Sequence, residues 1–587
     1  MRHLAAALEL ARTSRSRIAK EEAIACALAS IARDENAAAL AMAARLAAGR
    51  TLAVGDGRTL GVGWSLVLDL VCDATGFDAE VVVACARKTG DLGEAFGLLA
   101  RRAPGAHDRV GLRLEAVGRL ADALASEGSR AGKRALLDAA FAVATPLETK
   151  YLCKALGGGL RIGAQDGVVE GAISRAFGAP LESVRRAAAL VTDLGALAVL
   201  AHQRRLGEAR LLIGRPLAFM LATPIESLAI VIDPAAYVLE DKLDGVRAQA
   251  HRTAAGSVAI FARGLDRLTD AFPEIVSALT GAHGPAVLDG EIIAIAPSGR
   301  PRPFQALQPR LKKSPPSADE LTQARVALVV FDLLADASGP LLGLPWSERR
   351  KRLESLLEGI GPHDTLRLNA ATAIPTGLPV EGALEAAFVA ARARGHEGLV
   401  LKRADAPYEA GRRGHAWIKV KRAHATLDVV VVAAEEGHGS RAGVLSDYTF
   451  AVWRGEELVP VGKAYSGLSD VELEATSRRL DGLTTERRGG LRLVRPEIVI
   501  EVAFDGIQRS ARHSSGFALR FPRIVRLRDD KAPELADRVA AVEALFAAQV
   551  ASGHRESEEP LRKRGLRRPL ATRRGDAPQL SLFDDED

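Results

Sequence analysis

The sequence predicts a multidomain protein with an all-α domain, then an α+β domain of antiparallel sheets, then a small β-barrel and a disordered tail. Its 587 residues suffice for about four domains at ~150 residues each. Apolar residues recur at helical spacing through the first third, and short Val-rich runs between turn residues follow. A polar, arginine-rich stretch closes the chain, and such a composition cannot bury enough apolar surface to order itself.

We assign the all-α domain to residues 1–205. Residues 36–46 and 134–144 are rich in Ala and Leu at spacings of three and four, and a glycine-rich turn at 157–163 separates two helical runs. The cysteines all lie in this third and none form C-x-x-C, which favours thiols in a reducing compartment over a zinc or disulfide framework.

The α+β domain is assigned to residues 206–422, because β-rich runs and turn residues alternate there with two helical patterns. The strands are predicted at 237–241, 246–251, 258–263, 286–294 and 326–331, and the helices at 273–279 and 381–394.

Residues 423–550 are assigned to a barrel of the OB-fold type, since Val-rich strands at 427–433, 448–453, 458–464 and 498–504 fit a small closed sheet. A helix is predicted at 533–549, and residues 551–587 form the tail.

Composition restricts the class of protein. Hydrophobic residues make up 48% and charged residues 26%, as in ordinary globular proteins. No apolar run approaches the ~20 residues of a bilayer span, and the first residues do not resemble a secretory signal. We therefore expect a cytoplasmic protein without a membrane segment. The net charge of +6 is modest for this length and indicates no partner by itself.

The strongest local signal runs from Glu240 to Arg247 and reads K-x-D-G-x-R from Lys242 onward. A strand leads into the turn at Asp244-Gly245, so Lys242 is predicted at a strand end, where its side chain can face a cleft. A lysine nucleophile needs a lowered pKa, which nearby cations or a metal could provide. The alternative is a hairpin held by salt bridges.

Further polar and aromatic residues lie within or directly beside the predicted strands of the same domain. Singly, each is more simply explained as a core residue or a solvated charge. Together they offer two carboxylates for a hard metal, an aromatic ring for a base and cations for phosphates, which suits attack by an amine on a nucleotide phosphorus. These residues are Arg263, Glu291, Phe331, Glu397, Lys419 and Lys421.

In this ordered set the chain resembles the covalent nucleotidyltransferases, and in particular the ATP-dependent DNA ligases. The family's R-x-D-K motif appears as Arg528-Asp529-Asp530-Lys531. The stretch 150–163 is similar to the part of the family's helical DNA-binding domain that carries L-R-I-G. The resemblance thus covers most of the chain.

The resemblance implies that Lys242 attacks the α-phosphorus of ATP and that the adenylate then serves to seal nicked duplex DNA. It implies adenine recognition by Glu240, stacking by Phe331, and Mg²⁺ binding by Glu291 and Glu397. Arg161 and Gly163 would contact DNA. The remaining nucleotide-binding residues would be Arg247, Arg263, Arg413, Lys419, Lys421, Arg528 and Lys531.

Other readings remain open from the sequence. An RNA ligase or GTP-using capping enzyme shares the chemistry, and a non-catalytic DNA-binding protein could retain a ligase body. The missing zinc pattern disfavours the NAD-dependent ligases. We expect a monomer associated with the nucleoid, acting in repair or replication.

The terminal peptide suggests a protein partner. It is similar to the Q-L-x-L-F peptides that dock on the bacterial sliding clamp, and the basic segment before it would follow DNA phosphates. The predicted clamp-binding residues are Gln579, Leu580, Leu582 and Phe583.

Overall fold

The computed structural model describes residues 1–101, 109–225, 232–311, 315–361, 363–375, 379–420, 425–437 and 443–551. Lys421, the tail from 552 onward and the predicted clamp peptide lie outside the described residues. Among the described helices, none combines the length and the apolar character needed to cross a bilayer.

The first third is helical, as predicted, and its helices enclose one apolar core. Side-chain caps fix several helix starts; Thr145, for example, forms a capping box with Glu148. The helices are α1 (Arg2–Thr13), α2 (Arg17–Asp34), α3 (Ala37–Ala47), α4 (Trp64–Thr75), α5 (Ala79–Thr89), α6 (Leu92–Ala100), α7 (Leu114–Ser126), α8 (Arg130–Val143), α9 (Pro146–Leu156), α10 (Asp166–Phe177), α11 (Leu181–Val191) and α12 (Leu194–His202).

A buried ionic network joins α9 to its neighbours. The Lys154 ammonium lies 3.1 Å from both Asp91 and Glu94, and Lys150 lies 2.7 Å from Glu9 and from Glu94. The helices approach closely because α6 carries glycine there: a Cβ at position 97 would lie 2.9 Å from the Cβ of Lys150. Buried charges paired in this way fix the helices against each other.

The α+β domain contains two sheets, and the predicted strands and both predicted helices are present. One sheet has the order β1-β11-β10-β2-β9, and the other has β4-β3-β5-β6-β7 with β8 beside β6. The strands are β1 (Leu221–Ile225), β2 (Tyr237–Lys242), β3 (Val246–Arg252), β4 (Val258–Ala262), β5 (Ala286–Ala294), β6 (Val326–Asp336), β7 (Gly339–Pro340), β8 (Leu366–Leu368), β9 (Ala371–Ala373), β10 (Gly398–Arg403) and β11 (Arg413–Val420).

Helices cover the outer faces of these sheets and leave their inner faces to meet each other. The helices are α13 (Pro273–Thr280), α14 (Ala318–Gln323), α15 (Trp346–Ile360) and α16 (Val380–Ala393). Between the sheets, Phe331 and Leu334 of β6 share an apolar cluster with Trp417 of β11. The sequence did not predict α15, whose polar composition hides its periodicity.

The last domain is the expected OB-like barrel. Antiparallel pairing runs β14-β13-β12-β17-β20, with further strands beside β12. The elements are β12 (Ala425–Glu436), β13 (Leu445–Arg454), β14 (Glu457–Ala464), α17 (Asp470–Gly482), β15 (Thr484–Arg488), β16 (Leu491–Val494), β17 (Val499–Phe504), β18 (Gly506–Arg509), β19 (Phe517–Arg520), β20 (Arg523–Leu527) and α18 (Val539–Ala551).

The predicted helix at 533–549 was wrong at its start, because α18 begins only at Val539. Residues Pro533–Leu535 form a single 3-10 turn, and residues 536–538 after it are extended and pair with the barrel. Asp537 exchanges two hydrogen bonds with Asp428, its amide donating to the Asp428 carbonyl and its carboxylate accepting from the Asp428 amide. Pairing with a strand thus overrides local helix propensity.

Gly245 sets the position of the turn between β2 and β3. A Cβ at this residue would lie 2.2 Å from the carbonyl oxygen of Ile292 on β5. The turn therefore packs directly on the second sheet, which places Lys242 at the mouth of the space between the sheets.

We expect Gly245→Ala to destabilise the α+β domain by about 1–3 kcal/mol, because the added methyl group must push backbone apart. Calorimetric unfolding of the full chain would measure the shift. Gly343→Ala is the matched control, since a Cβ there meets nothing within 4 Å. Equal transition temperatures for the two variants would contradict this account of the turn.

Candidate active site

The space between the two sheets opens into a pocket that gathers most of the predicted site. Its walls include Asn369, Lys402 and Trp417 besides the predicted residues. The predicted residues that line it are Glu240, Lys242, Arg247, Arg263, Glu291, Phe331, Arg413 and Lys419.

Strand pairing places Lys242 next to Glu397. In the β2–β10 ladder Gly398 lies opposite Lys242, and the Glu397 amide donates to the Lys242 carbonyl at 2.8 Å. The Lys242 ammonium then forms an ion pair with the Glu397 carboxylate. The lysine is therefore fixed by a partner from the strand that neighbours its own.

The electrostatics around Lys242 differ from the sequence-based expectation of a lowered pKa. Burial disfavours the ammonium, but the carboxylates of Glu397, Glu291 and Asp244 outweigh it and raise the pKa of Lys242. In the chain without a bound metal, the charges of these acids outweigh both burial and the nearby cations that the expectation invoked.

The same carboxylates make a suitable place for a hard cation. Burial, opposed by Lys242 and Arg247 and assisted by Glu397 and Asp244, raises the pKa of Glu291 to about 8. Among the described residues, no three His, Cys, Asp or Glu side chains could enclose a metal by themselves. Two carboxylates completed by phosphate oxygens and water are what Mg²⁺ prefers, so the residues present fit that ion.

The far end of the pocket is built around a buried acid. Glu240 is 2% exposed and Lys402 1% exposed, and the Lys402 ammonium lies 2.9 Å from Glu240 Oε2. Burial raises the pKa of Glu240 and lowers that of Lys402, while each partner opposes the other's shift. Lys402 also sits 4.2 Å from the centre of the Phe331 ring. A polar edge and an aromatic face thus meet where a flat base would fit.

Arg247 forms part of the wall and is held on several sides. Its Nε and Nη2 donate to the Asp289 carboxylate at 3.1 and 2.7 Å, and Nη1 donates to the Met220 carbonyl at 2.7 Å. Tyr408 donates to the same carboxylate at 2.8 Å. Asp289 raises the pKa of Arg247 against the effect of burial. This arginine is a rigid, permanent positive charge in the pocket wall.

Comparison with known families gives three matches along the chain. Profiles described as DNA ligase N terminus, ATP dependent DNA ligase domain and ATP dependent DNA ligase C terminal region match residues 1–174, 219–421 and 441–531. The chain belongs to the ATP-dependent DNA ligases.

Curated relatives named as DNA ligases align with most of this chain. A probable DNA ligase of Koribacter versatilis (strain Ellin345) is 41% identical over 521 residues, which is 85% of this chain and 89% of that protein. A DNA ligase of Thermococcus onnurineus (strain NA1) is 35% identical, covering 84% and 89%. A solved structure named Pmar-Lig_Pre has a TM-score of 0.55 over 90% of this chain and 99% of its own, at 18% identity, and supports the fold alone.

The structure does not bring Arg528 and Lys531 to this pocket. Within the barrel, Arg528 Nη1 donates to both oxygens of Asp428, at 2.9 and 2.7 Å, and the Lys531 ammonium donates to one of them at 2.7 Å. A different barrel face meets the pocket instead, where Arg520 lies 3.9 Å from Asp244.

Arg161 and Gly163 lie in the loop that joins α9 to α10. Arg161 adopts a left-handed φ of 50° and donates to the Gly90 carbonyl at 3.0 Å. Gly163 has a φ of 67°, which favours glycine. The loop lines a surface cleft together with Trp64 and Arg87.

Several pocket residues were missed from the sequence. Lys402 lies in the same run as Glu397, and Trp417 lies two positions before Lys419. Both could therefore have been predicted from their spacing to a predicted site residue. Asn369 carried no signal, since it follows a three-residue strand and reaches the pocket only through the folding of β8 and β9.

A fully buried ion pair anchors the strand that carries Phe331. Arg349 of α15 donates to both oxygens of Asp332, at 2.7 and 2.9 Å, and both side chains have no exposed surface. Breaking this pair would leave an uncompensated charge beneath the aromatic wall.

We expect Asp332→Ala to cost about 3–5 kcal/mol of stability, because Arg349 remains buried without its carboxylate. Urea unfolding would measure the loss. Asp336→Ala is the comparison: Asp336 ends the same strand, pairs with the half-exposed Arg352 of α15 and accepts two hydrogen bonds from Ser338, so its loss should cost only about 1–2 kcal/mol. A similar cost for both variants would show that burial does not govern this pair.

Proposed function

We propose that this ligase seals nicks in duplex DNA through a lysyl-adenylate on Lys242. The observation that carries the proposal is the pocket, where Lys242, paired with Glu397, shares one cavity with Glu291, the buried Glu240 and the Phe331 ring. The Lys242 amine would attack the α-phosphorus of ATP, forming an N–P bond as the bond to pyrophosphate breaks; the amine loses its proton. The 5′-phosphate of the nick would then accept the adenylate, and the 3′-hydroxyl would displace AMP.

Different residues around Lys242 would position different parts of ATP. Glu240 would accept from the adenine amino group, Phe331 would stack on the ring, and Arg263, Arg413 and Lys419 would hold ribose and phosphate oxygens. Glu291 and Glu397 would hold Mg²⁺, which when bound would neutralise phosphate charge. Lys242 must part from Glu397 before attack. Because the reaction is an in-line displacement, alignment and charge neutralisation supply most of its catalysis.

The barrel must turn for its R-x-D-K residues to act. Arg528 and Lys531 are held by Asp428, and Arg520 occupies the contact with Asp244. We infer two arrangements: this one, and one in which Arg528 and Lys531 leave Asp428 for the ATP phosphates. Such a turn couples a conformational step to each round of chemistry.

Other parts of the proposal rest on the sequence and the family. Arg161 and Gly163 would approach the DNA backbone, and the chain would act as a monomer in repair or replication. Lys421 would bind the nucleotide, and the peptide with Gln579, Leu580, Leu582 and Phe583 would tether the enzyme to a sliding clamp. These last residues lie outside the described ranges.

Wild type incubated with labelled ATP and Mg²⁺ should gain one adenylate on Lys242 and then seal a nicked duplex. Lys242→Ala should form no adduct and lose sealing by at least about 1,000-fold, since no other amine replaces the nucleophile. Peptide mass spectrometry and a gel-based sealing assay give the readouts. GTP and NAD⁺ serve as comparison substrates, and an RNA nick as a comparison strand. An adduct at another residue, or sealing by the variant, would refute the proposal.

Asp428→Asn should speed adenylation of Lys242 by roughly two- to fivefold, because Arg528 and Lys531 would lose the carboxylate that they share, and Arg528 would keep only its pair with the exposed Asp530 of the same motif. Single-turnover adduct formation measures this without DNA. The control is Asp447→Asn, which removes a barrel carboxylate that pairs with Lys463 instead. An unchanged or slower rate in Asp428→Asn, with the fold intact, would show that this contact does not restrain the R-x-D-K residues.

A further inference from the structure

Tyr408 closes a ring of buried hydrogen bonds behind the wall of the pocket. Its hydroxyl accepts from the Met220 amide at 3.0 Å and donates to Asp289 Oδ2 at 2.8 Å. Asp289 in turn accepts from Nε and Nη2 of Arg247, and Arg247 Nη1 donates to the Met220 carbonyl, which completes the ring. The ring thus joins segments that lie far apart in the chain.

Of the residues in this ring, only Arg247 reaches the pocket. Met220 and Asp289 have no exposed surface and Tyr408 is 4% exposed, whereas the Arg247 side chain is 15% exposed and lines the pocket. Burial and the Asp289 charge raise the pKa of Tyr408 well above its usual value, against the opposing charge of Arg247. The hydroxyl therefore stays protonated and remains a donor to Asp289.

The Arg247 guanidinium keeps donors for a ligand. Of the five N–H groups of an arginine, three donate to Asp289 and Met220, so two are left within the part of the chain that the structure describes. The rings of Phe219 and Trp417 lie 5.0 and 5.1 Å from the central guanidinium carbon. Because the fork is planar and rigid, the carboxylate of Asp289 sets the direction in which the two remaining N–H groups point.

We propose that Tyr408 is a positioning residue for the nucleotide, which acts by fixing the Asp289 carboxylate and, through it, the direction of the Arg247 guanidinium. This inference rests on the proposed function and on nucleotide binding by Arg247, and it adds a residue outside every motif recognised in the sequence. Without the hydroxyl, Asp289 Oδ2 would lose one of its two donors, and the carboxylate could turn together with the guanidinium. The charge in the pocket would be unchanged, but its donors would no longer be held in one direction.

The test is single-turnover charging of Lys242 by the full-length chain, with Mg²⁺ and a series of ATP concentrations. Tyr408→Phe keeps the ring, which packs edge-on against Trp417 at 5.8 Å, and removes only the hydroxyl. The half-saturating ATP concentration should rise at least about tenfold, since misplaced positioning groups have effects of this size. The maximal rate should stay within about threefold of wild type, because the lost contact contributes to binding of ATP before the reaction as much as during it. A merely structural defect would lower the fraction of enzyme that can be charged and leave the half-saturating concentration unchanged.

Tyr237→Phe is the matched control. Tyr237 is buried in the same domain, and its hydroxyl donates to the His415 carbonyl at 2.9 Å, a bond that does not involve Asp289. This variant should keep the wild-type half-saturating ATP concentration. Equal values for Tyr408→Phe and Tyr237→Phe would overturn the inference.

Arg247→Lys tests whether Tyr408 acts through Arg247, since lysine keeps the charge but lacks the planar fork. In that background, Tyr408→Phe should change the half-saturating ATP concentration by less than about twofold, because no guanidinium is left to direct. If the effects of the two substitutions multiply instead, Tyr408 acts independently of Arg247 and the inference fails. Should Arg247→Lys not fold, the comparison between Tyr408→Phe and Tyr237→Phe decides. If wild type is not charged at all, the proposed function fails, an outcome that no result with the Tyr408 variants can imitate.

Discussion

The pairing of β2 with β10 is the constraint on which the active site depends. It fixes the end of one strand, where Lys242 lies, beside the start of another, where Glu397 lies. Two further contacts support the strands around this junction. The turn at Gly245 packs against β5, and the ion pair between Asp332 and Arg349 joins β6 to α15. The amine of Lys242, the proposed nucleophile, is thus positioned by backbone pairing between β2 and β10.

Much of this could be predicted from the sequence, for a physical reason. Glu240, Lys242, Glu291 and Phe331 lie in or at the end of strands that the sequence pattern predicts, and their ordered motifs resemble those of a known family, so they could be placed in one pocket. The direction of the pKa shift of Lys242 was harder to predict. The raised pKa of Lys242 depends on how closely three acids approach it, and the pattern of residues does not contain those distances.

The remaining differences come from contacts between segments far apart in the chain. Asn369 enters the pocket through two very short strands, which carry too few residues to show a pattern. The position of Arg528 and Lys531 depends on their pairing with Asp428 inside the barrel, 100 and 103 residues earlier in the chain, which the motif alone does not reveal. The start of α18 depends on Asp537, whose pairing with Asp428 keeps the chain extended where composition favours a helix.

The charges buried between α6 and α9 have a consequence for how the enzyme behaves as ionic strength changes. Lys154 is 4% exposed and its partners are largely covered, so dissolved ions screen this network weakly. Contacts with DNA phosphates, by contrast, weaken steeply as salt rises. A rise in salt concentration would therefore weaken binding to duplex DNA while leaving the helical domain folded. Binding could resume on dilution without a refolding delay.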